Sequence, residues 1–445
     1  MNNISKEQIV VAVVAPLVFP EGFSVGHGER KSNLLTIERD GQDNPVLRGS
    51  SVAGVLRAAA EQDGRYTEGV DFYFGKALEN REDRQESCVV CEDSFFKNET
   101  DETMHNRICR HTGSVSDENK GLFAIEQVSP GVECDLFFYV KIAKVDQDKA
   151  NEARELACFL ASSLHGALLG GHASRGVGRC QLKNGEYSVQ VFDLEKTDDV
   201  AAYLDLMYAD KKVLPRPERL KVNELDQSKK FAVQVLLGIP AGQDVLFAEG
   251  NDMFPISTTV AGQERWKIPG STFRGIFRSW MSRLAARDGE QLVDNAERYQ
   301  ERGDKKDVED EDRNDAIQSL FGTLQHKGRI HFTDAFSSVK CNNVLHIQKR
   351  RHVVIDRFTG GTNDGKLFEN GVLVNPDGDM KFTLEVSICN ASEKEVRWLE
   401  KTFTAMQLGI LRFGSSKAAG RLEVCSQKII SNPNHFSFNI LKEGK

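Results

Sequence analysis

Hydrophobic positions along this chain follow two alternating patterns. Short apolar runs with the composition of strands are separated by longer segments in which apolar residues recur at helical spacing. The clearest strand-like runs are residues 10–19, 133–142, 231–239 and 381–389, and the clearest helical segments are residues 50–62, 152–168 and 395–411. Strands and helices mixed in this order predict an α+β protein whose sheets are largely antiparallel.

The apolar run near the N-terminus, Ile9 to Phe19, is predicted to be the first strand. Pro16 interrupts it and no basic segment precedes it, so it lacks the pattern of a signal peptide. No apolar stretch reaches the roughly 20 residues that a membrane span needs, and no membrane partner is expected. Nine cysteines without a signal peptide argue against a disulfide framework and indicate a reducing, cytoplasmic location.

The sequence repeats itself. Residues 48–61 resemble residues 269–284, with Gly49 falling on Gly270 at an offset of 221 positions (270 − 49). In both segments a polar turn is followed by an amphipathic helical pattern. The other residues that coincide at this offset are Ser50 with Ser271, Gly54 with Gly275 and Arg57 with Arg278.

Two further pairs of segments repeat in the same order. Residues 104–123 resemble residues 351–368, and residues 170–182 resemble residues 413–424. Three matches in one order seldom arise by chance, so the chain is predicted to contain two related units.

The boundaries of these units follow from the repeats. The first domain is predicted at residues 1–195 and the second at residues 229–445. The charged segment between them, residues 196–228, carries Pro215 and Pro217 and is predicted to be a linker with some helix.

The charge of the chain argues against a nucleic-acid partner at first sight. The formal net charge is −8, whereas proteins that bind nucleic acids are usually basic. Much of the acid lies in runs such as residues 301–315, while basic residues gather around glycine-rich turns. An acidic average with local basic stripes still permits phosphate contacts.

An ordered set of motifs in the second half resembles a known family. The motifs are Ile268–Gly275, Leu320–Gly322, Thr333–Ala335, Arg351–Arg357, Thr359–Gly361 and Gly414–Gly420. The set resembles the backbone RAMP subunits of type III CRISPR effectors, the Csm and Cmr members that assemble along guide RNA. The resemblance covers nearly the whole second half and, more weakly, the first. It implies tandem modified RRM (ferredoxin-like) domains with thumb hairpin insertions.

The resemblance also implies where guide RNA is contacted: at the Gly-Ser turns, the helices after them, the thumb and the glycine-rich loops. Amides at a helix N-terminus favour an anion, and arginines four apart on one helix face add charge-assisted contacts. Ala53 stands where the second half has Arg274, so the first half is expected to hold RNA less tightly. Ordinary helix starts and solvated turns are the alternative interpretation. The predicted RNA-binding residues are Gly49, Ser50, Ser51, Arg57, Arg175, Arg179, Gly270, Ser271, Thr272, Arg274, Arg278, Arg350, Arg351, His352, Arg357, Lys417 and Arg421.

A cysteine and histidine pattern in the first half predicts a zinc-binding insertion. Cys88, Cys91, His105 and Cys109 follow the spacing C-x2-C-x13-H-x3-C. Two short ligand pairs separated by a loop suit tetrahedral zinc, and the polar loop between them offers little core of its own. His111 is a rival fourth ligand. The zinc is expected to be structural.

A single carboxylate is the candidate for catalysis. In members of the family that cut target RNA, an aspartate in the loop after the first strand is needed, and Asp252 occupies the matching loop of the second half. A carboxylate there could hold Mg²⁺ or another divalent cation, or position a ribose 2′-hydroxyl. A turn aspartate is the alternative. The first half has no clean counterpart, with Lys31 at the matching offset, and is expected to bind RNA without cutting or to cut poorly.

The expected partners are therefore guide RNA, target RNA and other type III effector subunits, with three alternatives to target cleavage by the second half. The chain could be a non-catalytic scaffold of the same complex. It could process guide RNA with His27 or His105 as general acid or base. It could also be a zinc-stabilised protein without an RNA role. His105 has its counterpart in His352, so an RNA contact rivals its role as a zinc ligand.

Overall fold

The computed structural model describes most of the chain. The described residues are 8–24, 30–31, 34–75, 86–97, 100–106, 122–143, 147–171, 176–222, 230–245, 248–249, 254–260, 262–290, 316–323, 327–342, 344–356, 358–414 and 420–440. Two compact units emerge. The first contains residues 1–102, 125–173 and 178–226, and the second contains residues 103–124, 174–177 and 227–445.

The first part of the chain forms twelve strands and four α-helices among the described residues. The strands are β1 (Gln8–Phe19), β2 (Arg30–Lys31), β3 (Leu34–Leu35), β4 (Val46–Leu47), β5 (Val89–Cys91), β6 (Ser94–Phe95), β7 (Thr100–Asn106), β8 (Leu122–Val128), β9 (Val132–Ala143), β10 (Gln181–Leu182), β11 (Glu186–Asp193) and β12 (Glu218–Lys221). The helices are α1 (Gly49–Gln62), α2 (Val70–Phe74), α3 (Gln147–Ser163) and α4 (Thr197–Tyr208).

The main sheet of the first unit has the strand order β12-β11-β1-β9-β5, with β10 beside β1. The apolar strand β1 pairs antiparallel with β9 over its whole length. Alternate β1 residues such as Val11 and Val13 belong to the same core as Leu56 of α1 and Leu156 of α3.

The opposite face of this sheet is also covered. Val10 and Ala12 of β1 form a smaller core with Phe137 of β9 and Leu206 of α4. Strand β12 extends the sheet by pairing with β11. The segment predicted to be a linker therefore supplies α4 and β12 to the first unit.

The second part of the chain has the same kind of architecture, with helices and a mainly antiparallel main sheet. Its strands are β13 (Lys230–Gly238), β14 (Asp244–Val245), β15 (Ala248–Glu249), β16 (Phe254–Pro255), β17 (Ser257–Val260), β18 (Gln263–Ile268), β19 (Ile330–Phe332), β20 (Ala335–Lys340), β21 (Ile347–Ile355), β22 (Thr362–Val374), β23 (Lys381–Cys389) and β24 (Glu423–Ser431). Its helices are α5 (Gly270–Arg287), α6 (Ala316–Phe321) and α7 (Glu393–Gln407).

The main sheet of the second unit has the order β17-β18-β20-β23-β13-β24, with β19 beside β23. Its core joins Val233 and Val235 of β13 to Phe277 of α5 and Phe403 of α7. Helix α7 begins with a capping box, in which the Ser392 hydroxyl accepts from the Glu395 amide and the Glu395 carboxylate accepts from the Ser392 amide. Mixed helices and largely antiparallel sheets confirm the α+β prediction.

Outside the main sheets, two hairpins correspond to the second repeated pair of segments. Strands β7 and β8 pair within a four-stranded sheet of order β2-β3-β8-β7, and β21 pairs with β22 beside β14. The predicted zinc ligand Cys109 falls in residues 107–121, outside the described part of the chain. No helix within the described ranges is both long and apolar enough to cross a membrane.

Candidate nucleic-acid interface

Each Gly-Ser pair begins a helix. The backbone amide of its glycine donates a hydrogen bond to a carboxylate that is distant in the sequence. Helix α1 starts at Gly49, and its amide donates to Asp93 Oδ1 at 2.8 Å. Helix α5 starts at Gly270, and its amide donates to Asp334 Oδ1 at 2.7 Å. The amide of Gly49 and that of Gly270 are therefore not free to bind an RNA phosphate, because each already has an anionic partner.

The two carboxylates form a fourth repeated pair, which the sequence comparison missed. Asp93 precedes β6 and Asp334 precedes β20, and each is followed by a small residue and a phenylalanine. Their separation of 241 positions (334 − 93) differs from the offset of 221 between the helix starts. A search that allowed gaps for an aspartate, a small residue and a phenylalanine could have found them.

The repeated glycines differ in the space around them. A Cβ on Gly49 would lie 2.0 Å from the Cys91 carbonyl oxygen, and one on Gly270 would lie 2.6 Å from the Phe332 carbonyl oxygen. Gly54 and Gly275 are exposed in the middle of their helices and would accept a Cβ without any contact within 4 Å. Packing therefore requires glycine at positions 49 and 270, whereas the fold gives no reason for glycine at positions 54 and 275.

The cations beside these carboxylates differ between the halves. In the second, Lys267 Nζ lies 2.7 Å from Asp334 Oδ2, and both side chains are only 2% exposed. In the first, Arg48 is 40% exposed and bridges Asp93 at 2.7 Å and Glu38 at 2.6 Å. One cation thus faces one carboxylate at the second helix start and two at the first.

The ionisation of Asp93 reflects its hydrogen bonds. Partial burial alone would raise its pKa, but the Gly49 amide and the Arg48 guanidinium together hold the pKa of this carboxyl below its ordinary value. Asp93 is therefore ionised at neutral pH. A phosphate approaching α1 meets its negative charge.

The predicted arginine contacts on the helices are engaged within the protein. Arg57 donates to Glu61 and to Asp71, and these partners raise its pKa. Arg274 donates to the Phe321 carbonyl, and its guanidinium lies 5.6 Å from the centre of the Phe321 ring. Arg278 lies 6.0 Å from the same ring. These arginines help to fix α1 on α2 and α5 on α6, whether or not RNA also reaches them.

The predicted thumb is the β21–β22 hairpin, and two of its predicted RNA-binding arginines form ion pairs. Arg350 forms an ion pair with Asp244, and Arg351 lies 3.4 Å from Glu369. The His352 ring stacks on Phe368 with the ring centres 5.1 Å apart. The β7–β8 hairpin has the same arrangement, with His105 stacked on Phe123 at 5.5 Å.

The hairpin tip carries an aromatic side chain that sequence reasoning did not single out. Phe358 is fully exposed, and Ile355 and Leu367 on the two strands of the hairpin are exposed as well. The turn is closed by Asp356, which accepts from the Phe358 and Thr359 amides. The hydrogen bond from the Thr359 amide contributes most to lowering the pKa of Asp356. An exposed aromatic ring among charged residues suits stacking on a nucleic-acid base.

The remaining predicted RNA contacts are dispersed. Ser50 and Ser51 are exposed at the start of α1, while Ser271 and Thr272 are partly exposed at the start of α5. Arg179 forms an ion pair with Glu21 at 2.6 Å, and Arg421 donates to the Gln407 carbonyl at 3.4 Å. The predicted residues Arg175, Asp252, Arg357 and Lys417 lie outside the described part of the chain, as does His27.

The described part of the predicted zinc site is one pair of thiols. Cys88 precedes β5 and Cys91 ends it, and burial raises the pKa of both, that of Cys91 to about 12. Across the described ranges no three His, Cys, Asp or Glu side chains form a group that could hold a metal. The His105 Nδ1 lies 3.5 Å from the Ser271 hydroxyl, within the second unit. His111, like Cys109, lies outside the described residues.

Comparison with models of protein families shows which family the chain belongs to. The model of the RAMP superfamily matches residues 12–181 and again residues 256–423. The chain belongs to the RAMP superfamily. The two matched regions confirm that it contains two RAMP domains.

The RAMP fold and function agree with the features above. RAMP domains are ferredoxin-like α+β folds, which accords with the helices packed on antiparallel sheets in both units. RAMP proteins are typically RNA-binding subunits that work in CRISPR complexes with other subunits. No curated protein matches the chain significantly.

Proposed function

We propose that this RAMP protein is a guide-RNA-binding backbone subunit of a type III CRISPR effector, and that its second domain cleaves guide-paired target RNA. The observation that carries the proposal is the double RAMP match, which covers both helix starts and both hairpins. A chain with two such domains presents each proposed RNA-contacting element twice, which suits contact with a continuous guide at two successive places.

Contacts with RNA are assigned mainly to the second domain. Its helix start carries Arg274 and Arg278, and the Asp334 carboxylate is neutralised by Lys267. At the first helix start, Arg48 faces two carboxylates, which disfavours a phosphate. The first domain therefore contributes a weaker contact.

Cleavage is assigned to Asp252. The 2′-oxygen of the target ribose bonds to the adjacent phosphorus, and the bond from phosphorus to the 5′ oxygen breaks. The Asp252 carboxylate takes the 2′ proton, and the departing 5′ oxygen takes a proton from water, leaving 2′,3′-cyclic phosphate and 5′-hydroxyl ends. Mg²⁺ fits a site with one carboxylate because it usually keeps several waters and binds substrate phosphates, where it would neutralise developing charge.

We expect Asp252→Ala to remove one set of target cleavage products. Loss of the proton acceptor should lower the rate by about 100-fold or more, without weakening guide binding. The measurement is cleavage of a guide-matched RNA by the reconstituted complex in Mg²⁺ and in EDTA. Asp377→Ala, at an exposed turn, is the matched control.

A target with a 2′-deoxyribose at the cut position should resist cleavage equally. If every product remains with Asp252→Ala, the chain is a scaffold and neighbouring subunits cut the target. A metal-independent cut in precursor guide RNA that needs His27 would instead make it a processing enzyme.

We further propose that Cys88, Cys91 and Cys109 bind structural zinc, with His105 or His111 as the fourth ligand. The C-x2-C spacing of Cys88 and Cys91 is one that structural zinc sites use. Because zinc binds thiolates and burial favours the protonated thiols, metal binding should release protons.

Purified protein is expected to contain about one zinc per chain, measured by elemental analysis. Cys91→Ser should lose the metal and lower the melting temperature. Cys389→Ser, at an exposed site in the second unit, should change neither. Wild-type protein that folds without zinc would remove this proposal and leave the thiols as core residues.

A further inference from the structure

The β7–β8 hairpin contacts the start of α5. Residues 103–124 of this hairpin belong to the same compact unit as α5. His105 of β7 stacks on Phe123 of β8, and its Nδ1 lies 3.5 Å from the Ser271 hydroxyl in the first turn of the helix. A stacked histidine on a hairpin and a serine at a helix start therefore meet within the second unit.

The β21–β22 hairpin carries the same pair of rings on an open surface. His352 stacks on Phe368, which is 42% exposed, whereas Phe123 is partly buried. Val353 and Val354, next to His352, are exposed as well. This hairpin therefore presents to solvent the features by which its counterpart contacts a helix start.

The start of α1 is open in the same way. Ser50 matches Ser271 at the offset of 221 positions (271 − 50). It is exposed, whereas Ser271 is partly buried. The chain thus has an open hairpin and an open helix start, which are the counterparts of the two sides of the contact between β7 and α5.

The edge strands of the two hairpins have opposite charge. Strands β7 and β21 each stand at the end of the strand order of their sheet. The lysine, arginine and carboxylate residues of β7 are only Asp101 and Glu102. Those of β21 are only Lys349, Arg350 and Arg351. Two carboxylates pair with these three cations, so one positive charge is left over. A surface that attracts one strand therefore disfavours the other.

The two helix starts also differ in charge. At α1, Arg48 faces both Glu38 and Asp93, which leaves an excess of negative charge. At α5, Lys267 balances Asp334. The basic strand β21 therefore suits the start of α1, and the acidic strand β7 does not. Because the basic hairpin and the acidic helix start are on the same chain, a second copy of the chain carries the matching surface.

We propose that the β21–β22 hairpin of one chain docks on the start of α1 of a second copy, with His352 against Ser50 of that copy. The contact joins two different surfaces, so further copies can add to either end. It needs neither guide RNA nor cleavage. Its failure would therefore leave the proposed function untouched.

The test is sedimentation of the purified protein without RNA. The wild type should self-associate as its concentration rises, and less so at high salt, which screens exposed charges. Arg351→Ala/His352→Ala removes a cation and the stacked ring, and should weaken association by about 10-fold or more, as loss of central contacts does. Lys366→Ala, at an exposed lysine of β22, should associate as the wild type does.

A second variant changes the other side of the contact. Ser50→Arg adds bulk and positive charge at the start of α1 and should weaken association to a similar extent. Ala58→Arg, at an exposed position further along the same helix, should not. The Ser50→Arg protein keeps an intact hairpin and the double variant keeps an intact α1 start. A mixture of the two should therefore form mixed dimers, although neither associates alone.

Three results would overturn the inference. The wild type could stay monomeric at every concentration, the Ser50→Arg protein could associate as the wild type does, or the mixture could fail to form dimers. Melting temperatures of the variants equal to that of the wild type establish that a loss of association is not a loss of folding.

Discussion

Asp334→Ala is expected to destabilise the second unit by about 3–5 kcal/mol, since it removes one partner of a buried ion pair. Lys267 is 2% exposed and would lose the carboxylate that lies 2.7 Å from its Nζ. The Gly270 amide would lose its acceptor as well. Urea denaturation followed by circular dichroism measures the loss. The exposed control Asp377→Ala should stay within about 0.5 kcal/mol of the wild type.

The double variant Lys267→Met/Asp334→Leu separates charge from packing. It removes both ions, so most of the lost stability should return, although the Gly270 amide still costs about 1–3 kcal/mol if it stays unsatisfied. An Asp334→Ala protein as stable as the wild type would show that the pair adds nothing to folding.

Gly49→Ala and Gly54→Ala are expected to change the stability of the first unit in opposite directions. At Gly49 a Cβ would meet backbone 2.0 Å away, so α1 must shift, at a cost of about 1–3 kcal/mol. At Gly54 the space is open and the helix gains about 0.5–1 kcal/mol from alanine. The same denaturation experiment measures both variants, which differ only in their position on α1.

The Gly54 variant also tests whether α1 contacts guide RNA. A more stable protein that binds guide RNA less tightly would show that the open glycine admits the RNA backbone. Equal destabilisation by both alanines would contradict the packing described for α1.

Much of the fold could be predicted because it depends on local patterns. The apolar run of residues 10–19 gives β1, and the amphipathic pattern of residues 395–411 gives most of α7, which ends at Gln407. The family resemblance implied hairpin insertions, and the β7–β8 and β21–β22 hairpins each carry a histidine stacked on a phenylalanine.

The missed features depend on contacts between distant residues. Asp93 and Asp334 bind amides 44 and 64 positions away, and no local spacing indicates such a bond. Likewise, Arg274 was predicted from its helix position to face RNA, but Phe321 of α6 binds it within the protein. The roles of Asp252 and Cys109 stay predictions, because these residues lie outside the described ranges.

The two-sided burial of β1 has a consequence for hydrogen exchange. Its amides lie between β9 and β11 with apolar layers on both faces, so they exchange with solvent only when the whole first unit opens. The outer half of the β21–β22 hairpin is solvent-exposed and opens locally at far lower cost. The protein can therefore reshape the surface proposed to meet RNA while the sheets that position it stay closed.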